Sequence, residues 1–178
     1  LDLIERPLAT DIKTIRDAPK LKLVSAVELG YLGVSINLSN GPKASTPLAK
    51  NAKVRKAFEL ALDRDAINQV AFNGEFVPGN QWVNPQHPYY QQSVPIPKRD
   101  VAKAKALLKE AGVTGPIAID FMVPNNPEAR QVAELIQSMV GEVGIDMKIR
   151  VTEFATSLKQ AEQGEYQAFL IGLSLIHI

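Results

Sequence analysis

The chain has no cysteine and only two histidines, His87 and His177, among its 178 residues. The lack of cysteine excludes disulfide bonds, thiolate metal sites and thiol nucleophiles. The sequence also lacks a Gly-x-Ser-x-Gly elbow, a phosphate-binding glycine loop and a His-Glu-x-x-His helix. His87 lies in a predicted loop, where a solvated or hydrogen-bonded histidine is commoner than a general base. We therefore predict a protein that is not an enzyme and that holds no metal or cofactor.

An excess of charge of either sign is also missing. Lys and Arg number 20 and Asp and Glu number 19, which leaves a formal net charge of +1. No sequence-wide positive field therefore attracts nucleic acid. The longest apolar run, residues 168–178, is too short and too interrupted to span a bilayer. With 46% hydrophobic and 22% charged residues, the composition is that of a globular domain with a core.

Residues 54–76, VRKAFELALDRDAINQVAFNGEF, contain two predicted helices joined at Asp63. Apolar residues in the first helix have the spacing of one buried helical face: Val54, Ala57, Phe58, Ala61 and Leu62. Asp63 is a candidate N-cap for the second helix, whose apolar residues are Ala66, Ile67 and Val70. A DNA-reading helix-turn-helix would need a basic exposed face. Without one, the pair is predicted to be a packing element, and no nucleic-acid partner is expected.

The first 50 residues are predicted to contain one short helix and two strands. Thr10 can cap a helix that carries Ile12 and Ile15 and ends before Pro19. Alternating residues 21–27 and the β-branched run 31–38 predict strands. The Gly-, Pro- and Ser-containing stretch that follows, up to residue 51, is typical of a loop.

Helices and strands alternate from Asp100 onward. A helix capped by Asp100 is predicted to bury four residues: Ala104, Leu107, Leu108 and Ala111. A strand over 117–123, a helix and a strand over 145–152 form a predicted βαβ unit. A helix starting at Thr156 and a strand over 166–171 complete the pattern. This alternation predicts an α/β layer with a largely parallel sheet, whose ligand crevices form at the carboxyl ends of the strands.

Two polar segments contain the candidate binding residues. The proline-rich loop 77–97 includes Asn80, Gln81 and Trp82, the only tryptophan. These residues either line a cleft, with the indole stacking on a ligand, or hold the loop against the domain. Asn125 and Asn126 follow a predicted strand. They are turn-forming residues by default, and amide donors to a ligand in the functional interpretation.

Five segments resemble, in order and spacing, the family 5 extracellular solute-binding proteins of ABC importers, the group that contains dipeptide- and oligopeptide-binding proteins. The segments are YLGVSINLSNGP, NAKVRKAFELALDRDAINQVAFNGEFVPGNQWVNP, KRDVAKAKALLKEAG, IDFMVPNNPEARQVAELIQSMVGEVGIDMKI and GEYQAFLIG. The resemblance covers nearly all of residues 31–172. In that family the VRKAFELALDR segment belongs to a helix pair beside a cleft.

The resemblance implies a partial type II, periplasmic-binding-protein-like fold, in which two lobes close on a ligand about a hinge. Residues 1–38 are then the end of lobe one and a strand approaching the hinge, and residues 39–172 are part of lobe two. The implied protein is a monomer, periplasmic or extracellular and membrane-anchored, which captures a peptide or small solute for an ABC permease. The alternative is an enzyme or signalling-sensor domain with the same two-lobed fold.

Two positions depart from the pattern of the family. Dipeptide-specific relatives carry an arginine, suited to bidentate binding of a carboxylate, where Val123 precedes Pro124. A peptide, an opine-like compound and another small solute therefore stay open as ligands. Leu173, the first residue of the terminal stretch LSLIHI over residues 173–178, stands where the resemblance implies the Trp of a Gly-Trp-Ser sequence. The codons CTG TCT CTT ATA CAC ATC of a sequencing adapter encode the same six residues, so we predict that they derive from an adapter, which the nucleotide sequence tests.

Overall fold

The structure is a computed structural model of the chain, and it describes residues 3–5 and 7–174. A short 3-10 helix, Pro42–Ser45, precedes the second of seven α-helices in this part of the chain. The α-helices and strands are, in order, α1 (Ile12–Asp17), β1 (Gly30–Ile36), α2 (Pro47–Lys50), α3 (Ala52–Ala61), α4 (Arg64–Phe72), α5 (Val101–Glu110), β2 (Ile117–Pro124), α6 (Pro127–Gly141), β3 (Ile145–Thr152), α7 (Phe154–Glu162) and β4 (Ala168–Ser174). This order confirms the predicted α/β class.

The strands form one four-stranded sheet in the order β1-β4-β2-β3. β2 runs parallel to β3 and to β4, whereas β1 pairs antiparallel with β4. The predicted βαβ unit is present as β2-α6-β3, because parallel neighbours need a crossover connection. The largely parallel sheet predicted from the alternation of elements is therefore confirmed.

The main core lies on one face of the sheet, under α3, α5 and α6. Alternate residues of β2 point into it, and Ile119, Phe121 and Val123 are fully buried. All five residues of the predicted α3 stripe are also buried, because their spacing places them on the side of the helix that faces the core: Val54, Ala57, Phe58, Ala61 and Leu62. Burial of these apolar side chains is the main term that stabilises the fold.

The opposite face of the sheet is covered by α7, which contacts β2. Met122, Phe169 and Ser157 are buried there. Beside them, Arg150 donates from Nε and NH2 to the two carboxylate oxygens of Asp120, each at 3.0 Å. Arg150 also donates from NH1 to Gln160 in α7, at 2.7 Å. This hydrogen-bonded group joins β2, β3 and α7, and sequence reasoning did not identify it.

The turn after β1 is held to the end of α7 by side-chain amides. Asn37, which is 2% exposed, donates from Nδ2 to the carbonyl oxygens of Asn40 and Tyr166, at 2.8 and 2.9 Å. Asn40 donates from Nδ2 to the carbonyl oxygens of Ala161 and Glu162, both at 3.2 Å. Carbonyl groups at a helix end lack partners within the helix, so these bonds complete the C-terminus of α7.

The predicted strand over residues 21–27 is wrong. The segment forms no β-ladder, and three of its apolar side chains lie in solvent: Leu21, Val24 and Val27. Alternation alone does not make a strand, because a strand also needs a neighbour to accept and donate its backbone hydrogen bonds. In the described part of the chain, none of the four strands of the sheet pairs with this segment.

Several helix boundaries differ from the prediction. Asp11, not Thr10, precedes α1, and its side chain makes no capping bond. α7 begins after Glu153 instead of at Thr156, because the carboxylate of Glu153 accepts the first free N–H groups. The predicted loop before residue 51 contains two short helices, and Thr46 caps the second by accepting from the Ala49 N–H. A side-chain hydrogen bond thus accounts for the starts of α2 and α7, whereas none marks the start of α1.

Among the residues predicted to be buried, one in α4 is exposed and two in α5, Leu107 and Ala111, are only partly buried. Val70 is 53% exposed, since α4 buries Ala71 instead. Leu107 packs against the core only in part, whereas Leu108 is 5% exposed. These errors have the same cause: the breadth of a buried stripe depends on how closely the neighbouring helix approaches, which periodicity does not specify.

We expect Leu108→Ala to lower the free energy of unfolding by about 2 to 4 kcal/mol, because it removes a buried side chain and leaves a cavity. Leu107→Ala, one position earlier in α5, should cost less because that side chain is partly solvated. Lys105→Ala, on the exposed side of the same helix, is the control. Denaturant unfolding measures all three, and a larger loss for Leu107→Ala would contradict the packing of α5.

We expect Gly164→Ala to destabilise the protein by about 2 kcal/mol or more. Gly164 has a φ of 72°, which is unfavourable for other residues. A Cβ there would also overlap the backbone oxygen of Asn40. Gly115→Ala is the matched control, because no atom lies within 4 Å of a Cβ added at Gly115. Equal melting temperatures for the two variants would contradict the close approach of the turn to α7.

Candidate functional site

The carboxyl ends of the parallel strands meet at one edge of the sheet, which we call the carboxyl edge. Asn125 follows β2 and Glu153 follows β3 at this edge. β4 ends there at Ser174, and the antiparallel β1 begins there at Gly30, the register partner of Ser174. Ligands of open α/β sheets bind outside such an edge. The carboxyl edge is therefore the place to look for a binding site.

Both predicted asparagines lie at the carboxyl edge, where α6 begins. Asn126 is the N-cap of α6, and its Oδ1 accepts the N–H of Ala129 at 2.8 Å. Asn125 is exposed, and its Oδ1 accepts a hydrogen bond from Arg130 NH2, also at 2.8 Å. The Asn126 side chain thus caps α6, whereas that of Asn125 is bonded to Arg130; both residues are exposed at the edge.

Glu153, at the end of β3, is a residue of this edge that sequence reasoning missed. Its carboxylate accepts the N–H groups of Ala155 and Thr156 at 2.9 and 2.8 Å, and the Thr156 hydroxyl at 3.0 Å. These bonds, first that from Ala155, hold the pKa of Glu153 below its usual value. The capping contribution is therefore present near neutral pH and is lost as the pH falls through the pKa of the folded state. The negative charge of Glu153 thus stabilises the first turn of α7.

The amides of Asn80 and Gln81 hold together the two ends of the proline-rich loop. Asn80 donates from Nδ2 to the Pro95 carbonyl at 3.1 Å. Gln81 donates from Nε2 to the Gln91 carbonyl and accepts the N–H of Gln91 with Oε1, both at 2.9 Å. Both amide side chains thus make hydrogen bonds within the loop. A direct contact of these two side chains with ligand stays a prediction.

Trp82 does not hold the loop against the domain. Its side chain is 54% exposed, whereas the neighbouring Val83 is 4% exposed and anchors the loop. The indole lies beside Tyr89, with ring centroids 6.5 Å apart, and beside His87, at 6.4 Å. Of the two interpretations of Trp82, the one in which its ring holds the loop against the domain does not agree with this exposure.

Two hydrogen bonds place the loop near the carboxyl edge. Gln131 near the start of α6 donates from Nε2 to the Val70 carbonyl at 3.4 Å, so the end of α4, from which the loop departs, lies near the same edge. Asn84 in the loop donates to the Glu28 carbonyl at 3.4 Å, two residues before β1. The two predicted segments therefore lie toward the same side of the molecule. Within residues 3–5 and 7–174, no hydrogen bond joins one segment to the other.

Among the described residues, histidine, aspartate and glutamate side chains form no group of three or more that would hold a metal ion. No helix among these residues is long and apolar enough to cross a bilayer.

Comparison with known proteins identifies the family. Residues 1–176 match the middle part of the bacterial extracellular solute-binding proteins, family 5. The chain belongs to this family. The dipeptide-binding protein of Escherichia coli K12 is 33% identical over 173 residues, which are 93% of this chain and 31% of that protein. This family 5 chain therefore spans about a third of the length of the curated relatives that it matches.

Solved structures show the same fold. The periplasmic binding protein DppA of Helicobacter pylori, in complex with the peptide STSA, matches 95% of this chain and 32% of its own, with a TM-score of 0.80 and 23% identity. The binding protein AgaA of A. tumefaciens R10, in complex with agropinic acid, matches 94% of this chain and 33% of its own, with a TM-score of 0.77 and 26% identity. The family 5 chain thus has part of a periplasmic-binding-protein fold, and these relatives are binding proteins.

We expect Asn126→Ala to lower the free energy of unfolding by about 1 kcal/mol, because it removes the cap of α6. Asn125→Ala, the adjacent substitution, removes no capping bond and should change stability little. Denaturant unfolding of both variants compares the two roles. A loss for Asn125→Ala as large as that for Asn126→Ala would contradict the assignment of the cap.

Proposed function

We propose that the chain is part of the solute-binding component of an ABC transporter, which captures a peptide or similar small solute between two lobes and delivers it to a membrane permease. The observation that carries this proposal is the family 5 match over residues 1–176. The arrangement of the carboxyl edge agrees with it, since exposed amide and aromatic groups suit an uncharged backbone and side chains. On this proposal residues 39–172 are part of the second lobe.

The proposed setting is the periplasm, or the outer surface of a Gram-positive host with a membrane anchor. The family description, bacterial extracellular solute-binding proteins, supports a place outside the cytoplasm. The H. pylori relative is described as periplasmic and associated with an ABC transporter. The protein would act as a monomer that meets its permease in the ligand-bound form.

Trp82 and Asn125 are the proposed ligand contacts with exposed side chains. Asn80 and Gln81 would act mainly by keeping the loop of Trp82 in shape, since their amides are bonded within it. Asn126 would act mainly by starting α6 beside Asn125. A rigid loop binds with a smaller entropy loss than a mobile one.

A peptide is the first candidate solute. The E. coli relative is named for dipeptides, and the H. pylori relative holds a peptide. An opine-like compound is the second, because AgaA was solved with agropinic acid. Val123 is apolar and fully buried in the core, so it cannot bind a ligand carboxylate at the end of β2. Any carboxylate of the solute would then have to be bound elsewhere in the full-length protein.

In the full-length protein we expect Trp82→Ala to weaken solute binding by about 1 to 3 kcal/mol, as for the loss of an aromatic contact. The melting temperature of the unliganded protein should change little, because the ring is exposed. Phe76→Ala, at an equally exposed aromatic residue before the loop, is the control and should retain affinity. Calorimetry and melting on the same variants decide the outcome. Wild-type affinity of the Trp82 variant would exclude the contact.

The isolated 178-residue chain should not bind peptides tightly. A cleft between two lobes needs both walls to remove its ligand from water, and the chain represents about a third of its relatives' length. Calorimetry against a mixed peptide library measures this. Micromolar or tighter binding by this chain alone would contradict a site shared between two lobes.

A further inference from the structure

We propose that Trp82, His87 and Tyr89 form one aromatic surface, called here the ring surface, that contacts an aromatic side chain of the bound peptide. The inference rests on the proposed peptide-binding function and adds the class of side chain that the site prefers. It also adds His87 and Tyr89 to the residues that determine specificity.

The three rings lie close enough to act as one surface. The Trp82 and Tyr89 rings are stacked, with centroids 6.5 Å apart and planes inclined by 27°. The imidazole of His87 lies 5.3 Å from the Tyr89 ring and 6.4 Å from the indole. Its Nδ1 accepts the backbone N–H of Tyr89 at 3.2 Å, which orients the imidazole relative to that residue. The sequence places these rings within eight positions, and the fold of the loop brings them together.

The ring surface is exposed although its loop is well ordered by hydrogen bonds. Trp82 is 54% and Tyr89 is 67% exposed. Backbone bonds of 3.0 Å close the turns from Asn84 to His87 and from His87 to Tyr90. The Gln81 amide joins the turns to residue 91 on the far side of the loop. Large rings held in water by a stiff loop lose little conformational entropy when a partner covers them.

The charge of the loop favours an aromatic partner over a cationic one. Residues 77–97 contain no Asp, Glu, Lys or Arg. A cation can also lie on an aromatic face. Here it would lose hydration free energy, and the loop has no carboxylate to compensate. A neutral ring loses less hydration free energy and gains edge-to-face or offset-stacked contact with the indole and phenol. The ring surface therefore suits a Phe, Tyr or Trp side chain better than Lys or Arg.

The position of the ring surface agrees with a ligand contact. Asn84, between Trp82 and His87 in sequence, is bonded to the Glu28 carbonyl just before β1. β1 begins at the carboxyl edge, which also carries Asn125. A peptide whose backbone lies along the carboxyl edge can thus direct a side chain toward the ring surface.

The test uses the full-length protein and matched di- and tripeptides of alanine, in which one position at a time carries phenylalanine, cyclohexylalanine or lysine. Cyclohexylalanine has nearly the bulk of phenylalanine but no π face, so the ratio of the two dissociation constants isolates ring contact from apolar burial. At one position we expect phenylalanine to bind about two- to tenfold more tightly than cyclohexylalanine. Lysine at that position should bind more weakly than both.

Variants connect this preference to the three rings. Trp82→Leu, Tyr89→Leu and His87→Asn should each bring the ratio closer to one, and asparagine at 87 retains an oxygen that can accept the Tyr89 N–H. Tyr90→Leu is the matched control, since Tyr90 neighbours Tyr89 but makes none of the ring contacts described for residues 3–5 and 7–174, and it should retain the wild-type ratio. Melting temperatures verify that each variant is folded.

The outcomes separate this inference from the proposed function. Peptides that bind without any preference for phenylalanine, or a preference for lysine, overturn the ring surface and leave peptide binding intact. Equal loss of the ratio in Tyr90→Leu overturns it as well, because the effect then comes from the loop as a whole. Failure of every peptide to bind overturns the proposed peptide-binding function, and the ring surface as a peptide contact with it.

Discussion

Burial of β2 on both of its faces is the constraint on which the rest of the structure depends. Phe121 points to the core beneath α3, α5 and α6, while Met122 points to the layer beneath α7, and both are fully buried. A strand with parallel neighbours on both sides has no exposed edge either. The covering helices and the two flanking strands are therefore needed together. Because β2 is central, its carboxyl end also determines where Asn125 is placed.

Apolar burial sets the layers, but polar groups determine how the ends of the elements meet. Asn40 joins the turn after β1 to the end of α7, Glu153 starts α7, and Asn126 starts α6. Arg150 crosses from β3 to Asp120 on β2. Each bond satisfies a backbone or side-chain group that would otherwise be left without a partner at the rim of the sheet. Three of these four interactions lie at helix ends, and two of those are at the carboxyl edge.

Exposed apolar side chains are found in the N-terminal region as well as in the ring surface. Leu21, Val24 and Val27 are exposed in a segment without regular secondary structure, and Tyr31 and Leu32 are exposed in β1. Single exposed apolar residues are common on protein surfaces, but a run of them in an unpaired segment differs from the well-filled core around β2. Prediction from apolar patterns therefore succeeded around β2, where the apolar residues are buried, and failed for residues 21–27, where they are exposed.

The sequence by itself determined the class of fold, the α3 stripe, the βαβ unit around α6 and the positions of the Asp63 and Asp100 caps, because these depend on periodicity and on bonds between residues a few positions apart. It also placed the candidate residues in two segments. Only the tertiary structure decided that both segments lie toward the carboxyl edge, that Val83 and not Trp82 anchors the loop, and that residues 21–27 remain unpaired. Those outcomes depend on contacts between residues far apart in the chain, whose approach is set by packing around β2 and carries no local signal in the sequence.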